Sequence, residues 1–171
     1  VLGSRGLGDV YKRQPCIRTE FIRPMNPPFT AYDTCVFTST EGVHSFFSWI
    51  FEQGKDVRAV SGKRFACIGS ATAKALADYG LRADFVPSIF DGETLGKEMV
   101  SEGFVTSENK VILLRAKIGT ADLTDALDAG GISYLDYPVY NTSYVEHPEI
   151  AEPESWDYVT FTSKSCVDGF V

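Results

Sequence analysis

The chain has 171 residues, 44% of them hydrophobic, and its 16 Lys and Arg against 23 Asp and Glu give a formal charge of −7. That length holds one ordinary hydrophobic core and part of a second. The acidic balance speaks against nucleic acid or an anionic membrane as partner, since both select basic surfaces. With no apolar run near the roughly 20 residues that span a bilayer, a soluble, cytoplasmic protein is expected.

Residues 1–14 (VLGSRGLGDVYKRQ) are Gly-rich and basic without apolar periodicity, and read as a foreign or disordered tail. A phosphate loop is the sharper reading of Gly3, Gly6 and Gly8, but no strand precedes them. Residues 15–22 alternate like a strand until Pro24, Pro27 and Pro28 break the pattern. A short β-rich run follows at 33–38. After it Val43, Phe46, Phe47, Ile50 and Phe51 fall on one helical stripe, closed by Gly54.

Three more such units succeed it. Phe65 to Ile68 reads as a strand, Gly69-Ser70 as turn and N-cap, and Ala71 to Tyr79 as a helix stopped by Gly80. Ala83 to Val86 is a further strand, and Asp91 caps a helix carrying Leu95 and Met99. Val111 to Leu114 is a strand, Leu123, Ala126 and Leu127 stripe a helix ending at Gly130-Gly131, and Ile132 to Val139 closes the series. Strands separated by single helices call for right-handed crossovers and a parallel sheet covered on both faces, the doubly wound α/β class.

Cys16, Cys35, Cys67 and Cys166 form no C-x-x-C pair, and with only His44 and His147 beside them no zinc spacing appears. Buried, reduced thiols are expected. The last residues repeat an earlier unit: 32–47 and 156–171 align without gaps at Asp33/Asp157, Phe37/Phe161, Thr38/Thr162, Ser39/Ser163, Val43/Val167 and Phe46/Phe170. Thr and Ser recur as N-caps by chance, but six identities in sixteen positions favour duplication, with a second βα unit cut off at Val171.

In open parallel sheets the ligand lies beyond the carboxyl ends of the strands, at helix N-termini with unpaired N–H groups and partial positive charge. Those positions carry Thr38-Ser39, Gly69-Ser70-Ala71-Thr72, Arg115-Ala116-Lys117 and Thr162-Ser163, small, hydroxylated or basic residues suited to a carboxylate or phosphate.

Taken in order, F-T-S-x-x-G-V at 37–43, IGSATAKAL at 68–76 with Gly80-Leu81, FVPSIFDGETL at 85–95, LLRAKIG at 113–119 and PVYNT at 138–142 resemble the uroporphyrinogen-III synthase family, from Pro15 to Val171. The resemblance implies a two-domain protein of two similar α/β domains: linker strands at 15–22 and 143–148, one complete domain at 23–142, and a truncated start of the second at 149–171. In some bacteria the enzyme is fused behind a uroporphyrinogen methyltransferase.

The implied reaction uses neither metal nor organic cofactor. Hydroxymethylbilane, a linear tetrapyrrole with eight carboxylates, loses water and closes with its last ring turned over, giving uroporphyrinogen III for tetrapyrrole biosynthesis. Such an enzyme, a monomer by the same resemblance, works chiefly by positioning a polyanion. Tyr140, the tyrosine of the V-Y-x-T segment, is the implied proton donor; packing at the interdomain hinge is its other reading. Thr38, Ser39, Gly69, Ser70, Ala71, Thr72, Arg115, Thr162 and Ser163 are the implied substrate contacts. Lys117 reads more readily as a solvated loop charge than as a carboxylate contact, Thr120 stands where the family often has arginine, and Glu41 would repel an anion unless turned outward. The fragment alone is expected to be inactive. A receiver-like or other anion-binding α/β domain is the rival class, although receivers gather acids at the first strand ends. A dinucleotide oxidoreductase would need more glycines than Gly69 alone.

Overall fold

The computed structural model describes residues 15–23, 25–145, 158–161 and 164–170. The expected tail at 1–14 and the proposed contacts Thr162 and Ser163 lie outside them. Contacts divide the chain into two units, Thr19–Thr142 and a second made of Val1–Arg18 with Ser143–Val171.

In the larger unit β2 (Thr34–Phe37), β3 (Arg64–Cys67), β4 (Val111–Ala116) and β5 (Tyr134–Tyr144) run parallel, with β1 (Ile17–Phe21) at the far edge in the order β1-β5-β4-β2-β3. Ile22 N–H donates to Val139 O and Val145 N–H to Cys16 O, both at 3.0 Å. Residue numbers therefore fall on β5 as they rise along β1, so the edge strand is antiparallel and the complete sheet mixed.

Every residue of β2 is buried, as a strand covered on both faces requires. Alternation then sorts side chains to two sides. Cys35, Phe37, Phe65, Cys67, Ile112 and Leu114 meet α1 (Thr40–Glu52) and α2 (Ser70–Ala77). Val36, Ala66, Val111 and Leu113 meet α3 (Gly92–Ser101) and α4 (Asp122–Ala129). Helix α1 buries Val43, Phe46, Phe47 and Ile50, each large side chain contributing about 2 kcal/mol by its removal from water. Burial pushes the Cys35 and Cys67 thiols up to about 12, so both stay protonated. Asp91 caps α3 by accepting from Thr94 N–H at 2.7 Å, and the turns after α1, α2 and α4 use Gly54, Gly80 and Gly131 at positive φ.

Four expectations change. Ala83 to Val86 forms only one bridge, Phe85 to Ala66, because Asp84 accepts from Phe65 N–H through its side chain and Pro87 offers no donor to continue. Phe51 is 44% exposed while Trp49 is 4% exposed; Phe51 instead reaches the Tyr79 ring at 5.9 Å. The closing strand begins at Tyr134 and runs on to Tyr144, joining two expected strands into one. In the smaller unit Tyr158 to Phe161 form no strand, since no described strand pairs with them. Yet α5 (Lys164–Asp168) starts at the position that aligns with Thr40, where α1 starts.

From β2 the chain moves outward to β3 and then returns to β4 on the other side of β2. This reversal makes the carboxyl ends of β2 and β4 the switch point, where such sheets bind ligands.

Candidate functional site

Strand β2 delivers Thr38 and Ser39 to the switch point. Ser39, in extended backbone, caps α1 by accepting from Gly42 N–H at 3.1 Å. Gly42 is needed for a different reason: a Cβ there would stand 2.6 Å from the Leu114 carbonyl oxygen of β4. The first turn of α1 therefore presses onto the end of β4. Glu41 occupies that turn and accepts from the Thr40 hydroxyl at 2.8 Å. Its charge suits the helix dipole but opposes a second carboxylate.

Tyr140 lies beside this cap, 8% exposed. Backbone bonds fix it on both sides. Its carbonyl accepts from Lys117 N–H at 2.8 Å, and the preceding Val139 carbonyl accepts from Ile22 N–H at 3.0 Å and the buried Ser45 hydroxyl at 2.6 Å. Burial pushes the Tyr140 phenol up, the nearby Ser39 side chain pulls it down, and the Glu41 charge pushes it up again, with a net rise. The phenol holds its proton at neutral pH. A hollow of about 360 Å³ lined by Ile22, Lys117, Pro138 and Asn141 opens beside the same strand end.

The start of α2 differs. Gly69 makes no side-chain cap, Ser70 and Ala71 are exposed, and Thr72 is buried. Of α1 to α4, only α2 has no acid in its first turn. Phe90, 58% exposed, stands over Gly69, where a Cβ would come within 2.9 Å of its ring.

Arg115 is engaged internally. Its Nε donates to Asp136 at 3.0 Å, Nη2 to the same carboxylate at 2.5 Å, and Nη1 to the Thr120 carbonyl at 2.9 Å. The fork that the sequence offers to a substrate carboxylate is thus occupied by one from β5. Lys117 is exposed. Among the described residues no group of three or more His, Cys, Asp or Glu is placed to hold a metal ion, and no helix is long and apolar enough to cross a membrane.

A family model described as uroporphyrinogen-III synthase HemD matches residues 10–171, beginning five residues before Pro15. The chain belongs to the uroporphyrinogen-III synthase family. It is 34% identical over 145 residues to the porphyrin biosynthesis protein HemD of Ruminiclostridium josui, covering 82% of this chain and 28% of that protein. A mutant uroporphyrinogen III synthase from Thermus thermophilus superposes with a TM-score of 0.57 at 17% identity, over 77% of this chain and 52% of that one. The Helicobacter pylori uroporphyrinogen-III synthetase gives 0.56 at 20%, over 77% and 55%. The chain thus spans little more than a quarter of the curated relative and about half of the solved synthases, which share its mixed α/β fold. The curated relative is described as a porphyrin biosynthesis protein.

In this member of the uroporphyrinogen-III synthase family, then, the larger unit gathers Ser39, Glu41 and Tyr140 at one strand end and leaves Ser70 and Ala71 exposed at the α2 start. Ser45 and Asp136 escaped the sequence reading. A serine set between Val43 and Phe46 in an apolar stripe, and an aspartate inside the apolar run 132–139, were the available signals.

Proposed function

We propose that the protein converts hydroxymethylbilane to uroporphyrinogen III. The observation that carries this reading is the buried, protonated Tyr140 phenol near the Ser39 cap at the switch point, in a chain of the synthase family. Hydroxide is a poor leaving group from a neutral hydroxymethyl, and protonation turns it into water. The Tyr140 proton passes to the departing hydroxyl, the C–O bond breaks, and the proton released when the rings join restores the phenol. Backbone N–H groups of Ser70, Ala71 and Thr72 then hold substrate carboxylates without an opposing acid in the turn. Thr38 would extend the cradle, and Thr162 and Ser163 belong to the proposal as further substrate contacts. Arg115 contributes by bracing β4 to β5 through Asp136.

The proposal includes 15–22 and 143–148 as linkers between two domains, a cytoplasmic location, and in the longer protein a fused uroporphyrinogen methyltransferase, for which the length of the R. josui relative leaves room. Freshly made hydroxymethylbilane tests it. The inverted isomer is expected from the protein with both domains, and Tyr140→Phe should slow its formation by about a hundredfold. Formation of the uninverted isomer alone would defeat the reading.

A further inference from the structure

Strand β5 does not keep one register against β4. Arg115 pairs with Pro138, but the next residue, Ala116, pairs with Tyr140, so Val139 is an extra residue, a β-bulge one position before the tyrosine. The bulge decides which face Tyr140 occupies. Leu135, Tyr137 and Val139 alternate onto the α1 and α2 side of the sheet, while Tyr134 lies on the α3 and α4 side. Unbroken alternation would send Tyr140 to the side of Tyr134. It lies instead with Val139 on the α1 side, opposite Ala116, which packs there too. The phenol thus reaches the side that α1 covers because β5 carries one residue too many.

A bulge disrupts the ladder locally, and this one is held from α1. The Ser45 hydroxyl, wholly buried, donates to the Val139 carbonyl at 2.6 Å, and the same carbonyl accepts from Ile22 N–H at 3.0 Å. Ser45 is held in turn by Arg23, which donates to its carbonyl at 3.1 Å, to its hydroxyl oxygen at 3.4 Å and to the Ile22 carbonyl at 2.9 Å. Glu52, the last residue of α1, anchors that guanidinium at 2.9 Å. Arg23 has only protons to give, so the one proton of Ser45 is directed at Val139. We propose that Ser45 is a positioning residue for Tyr140: its hydroxyl pins the Val139 bulge, and the bulge sets the phenol on the α1 face. Pro138, with no N–H for the ladder, permits the shift at this point, and Ser45 fixes it. The reason for a buried hydroxyl in the apolar stripe of Val43, Phe46, Phe47 and Ile50 is then the strand end beneath it.

The kinetic part rests on the proposed synthase activity; the placement of the ring does not. In the 171-residue chain, nuclear Overhauser contacts of the Tyr140 ring should run to side chains of the α1 and α2 cluster. Contacts to the cluster under α3 and α4 would mean an unbroken strand and overturn the proposal. Ser45→Ala should weaken the α1-side contacts and Ser45→Thr should keep them; contacts unchanged in Ser45→Ala overturn it as well. In the protein with both domains, Ser45→Ala should lower kcat about tenfold with KM within about twofold, because a displaced proton donor costs rate and not binding. In a Tyr140→Phe background the same change should cost less than about twofold. Ser45→Thr, which keeps the donor, should stay within about threefold of the parent kcat, while Ser45→Cys, close to it in volume but a weak donor, should match Ser45→Ala. Ile132→Val, a core change on the other face, should leave kcat unchanged. Equal losses in Ser45→Thr and Ser45→Cys, in both Tyr140 backgrounds, or in Ile132→Val would make the effect one of packing and overturn the proposal. Should Ser45→Ala fail to fold, the Thr and Cys variants carry the same comparison. If the parent makes no inverted isomer, the synthase reading fails while the ring contacts still decide the role of Ser45.

Discussion

The starts of α1 and α2 look interchangeable in sequence, each a strand running into small and hydroxylated residues, yet they are built for different work. Helix α1 opens with a serine whose oxygen is taken, a glutamate in the first turn and a glycine jammed against β4. Helix α2 opens with a glycine that caps nothing, exposed Ser70 and Ala71, and no acid. An anion approaching α1 meets a carboxylate and a spent cap; one approaching α2 meets unpaired N–H groups. A helix N-terminus becomes a binding site only where the chain leaves it unfilled.

Substitutions at matching positions sharpen the contrast. Gly42→Ala should be the most damaging, by about 2–3 kcal/mol, because its Cβ meets backbone that cannot move aside. Denaturant midpoints measure this, and a neutral result would mean α1 is not pressed on β4. Ser45→Ala follows at about 1–2 kcal/mol, since it takes a donor from the buried Val139 carbonyl while Ile22 N–H remains. Ser39→Ala should cost about 1 kcal/mol as a lost N-cap. Gly69→Ala should be mildest, below about 1 kcal/mol, because its obstacle is the exposed Phe90 side chain, whose ring can swing outward and whose Cβ, at 3.1 Å, need give by only a few tenths of an ångström. A loss at Gly69 as large as at Gly42 would erase the distinction between the two starts.

What could be read in advance follows from how each feature is encoded. Strands β2 and β4 were legible because burial on both faces writes itself as the unbroken runs T-C-V-F and V-I-L-L. The Asp91 cap and the glycine stops were legible because they are local. Ala83 to Val86 misled because apolar content does not encode pairing, and Asp84 with Pro87 ends it. Arg115 looked available because Asp136 is 21 residues away and becomes its neighbour only through the pairing of β4 with β5. Tyr140 stood out in V-Y-N-T, but the Glu41 and Ser39 groups that act on its phenol belong to another strand end, and no spacing rule joins them.

Titrating ¹⁵N-labelled protein with uroporphyrin III, a stable octacarboxylate, tests the division of labour between the two helix starts most directly. The amide signals of Ser70, Ala71 and Thr72 should shift progressively, while those of Thr40, Glu41 and Gly42 move little. Shifts confined to the α1 amides, or none at either helix start, would contradict it.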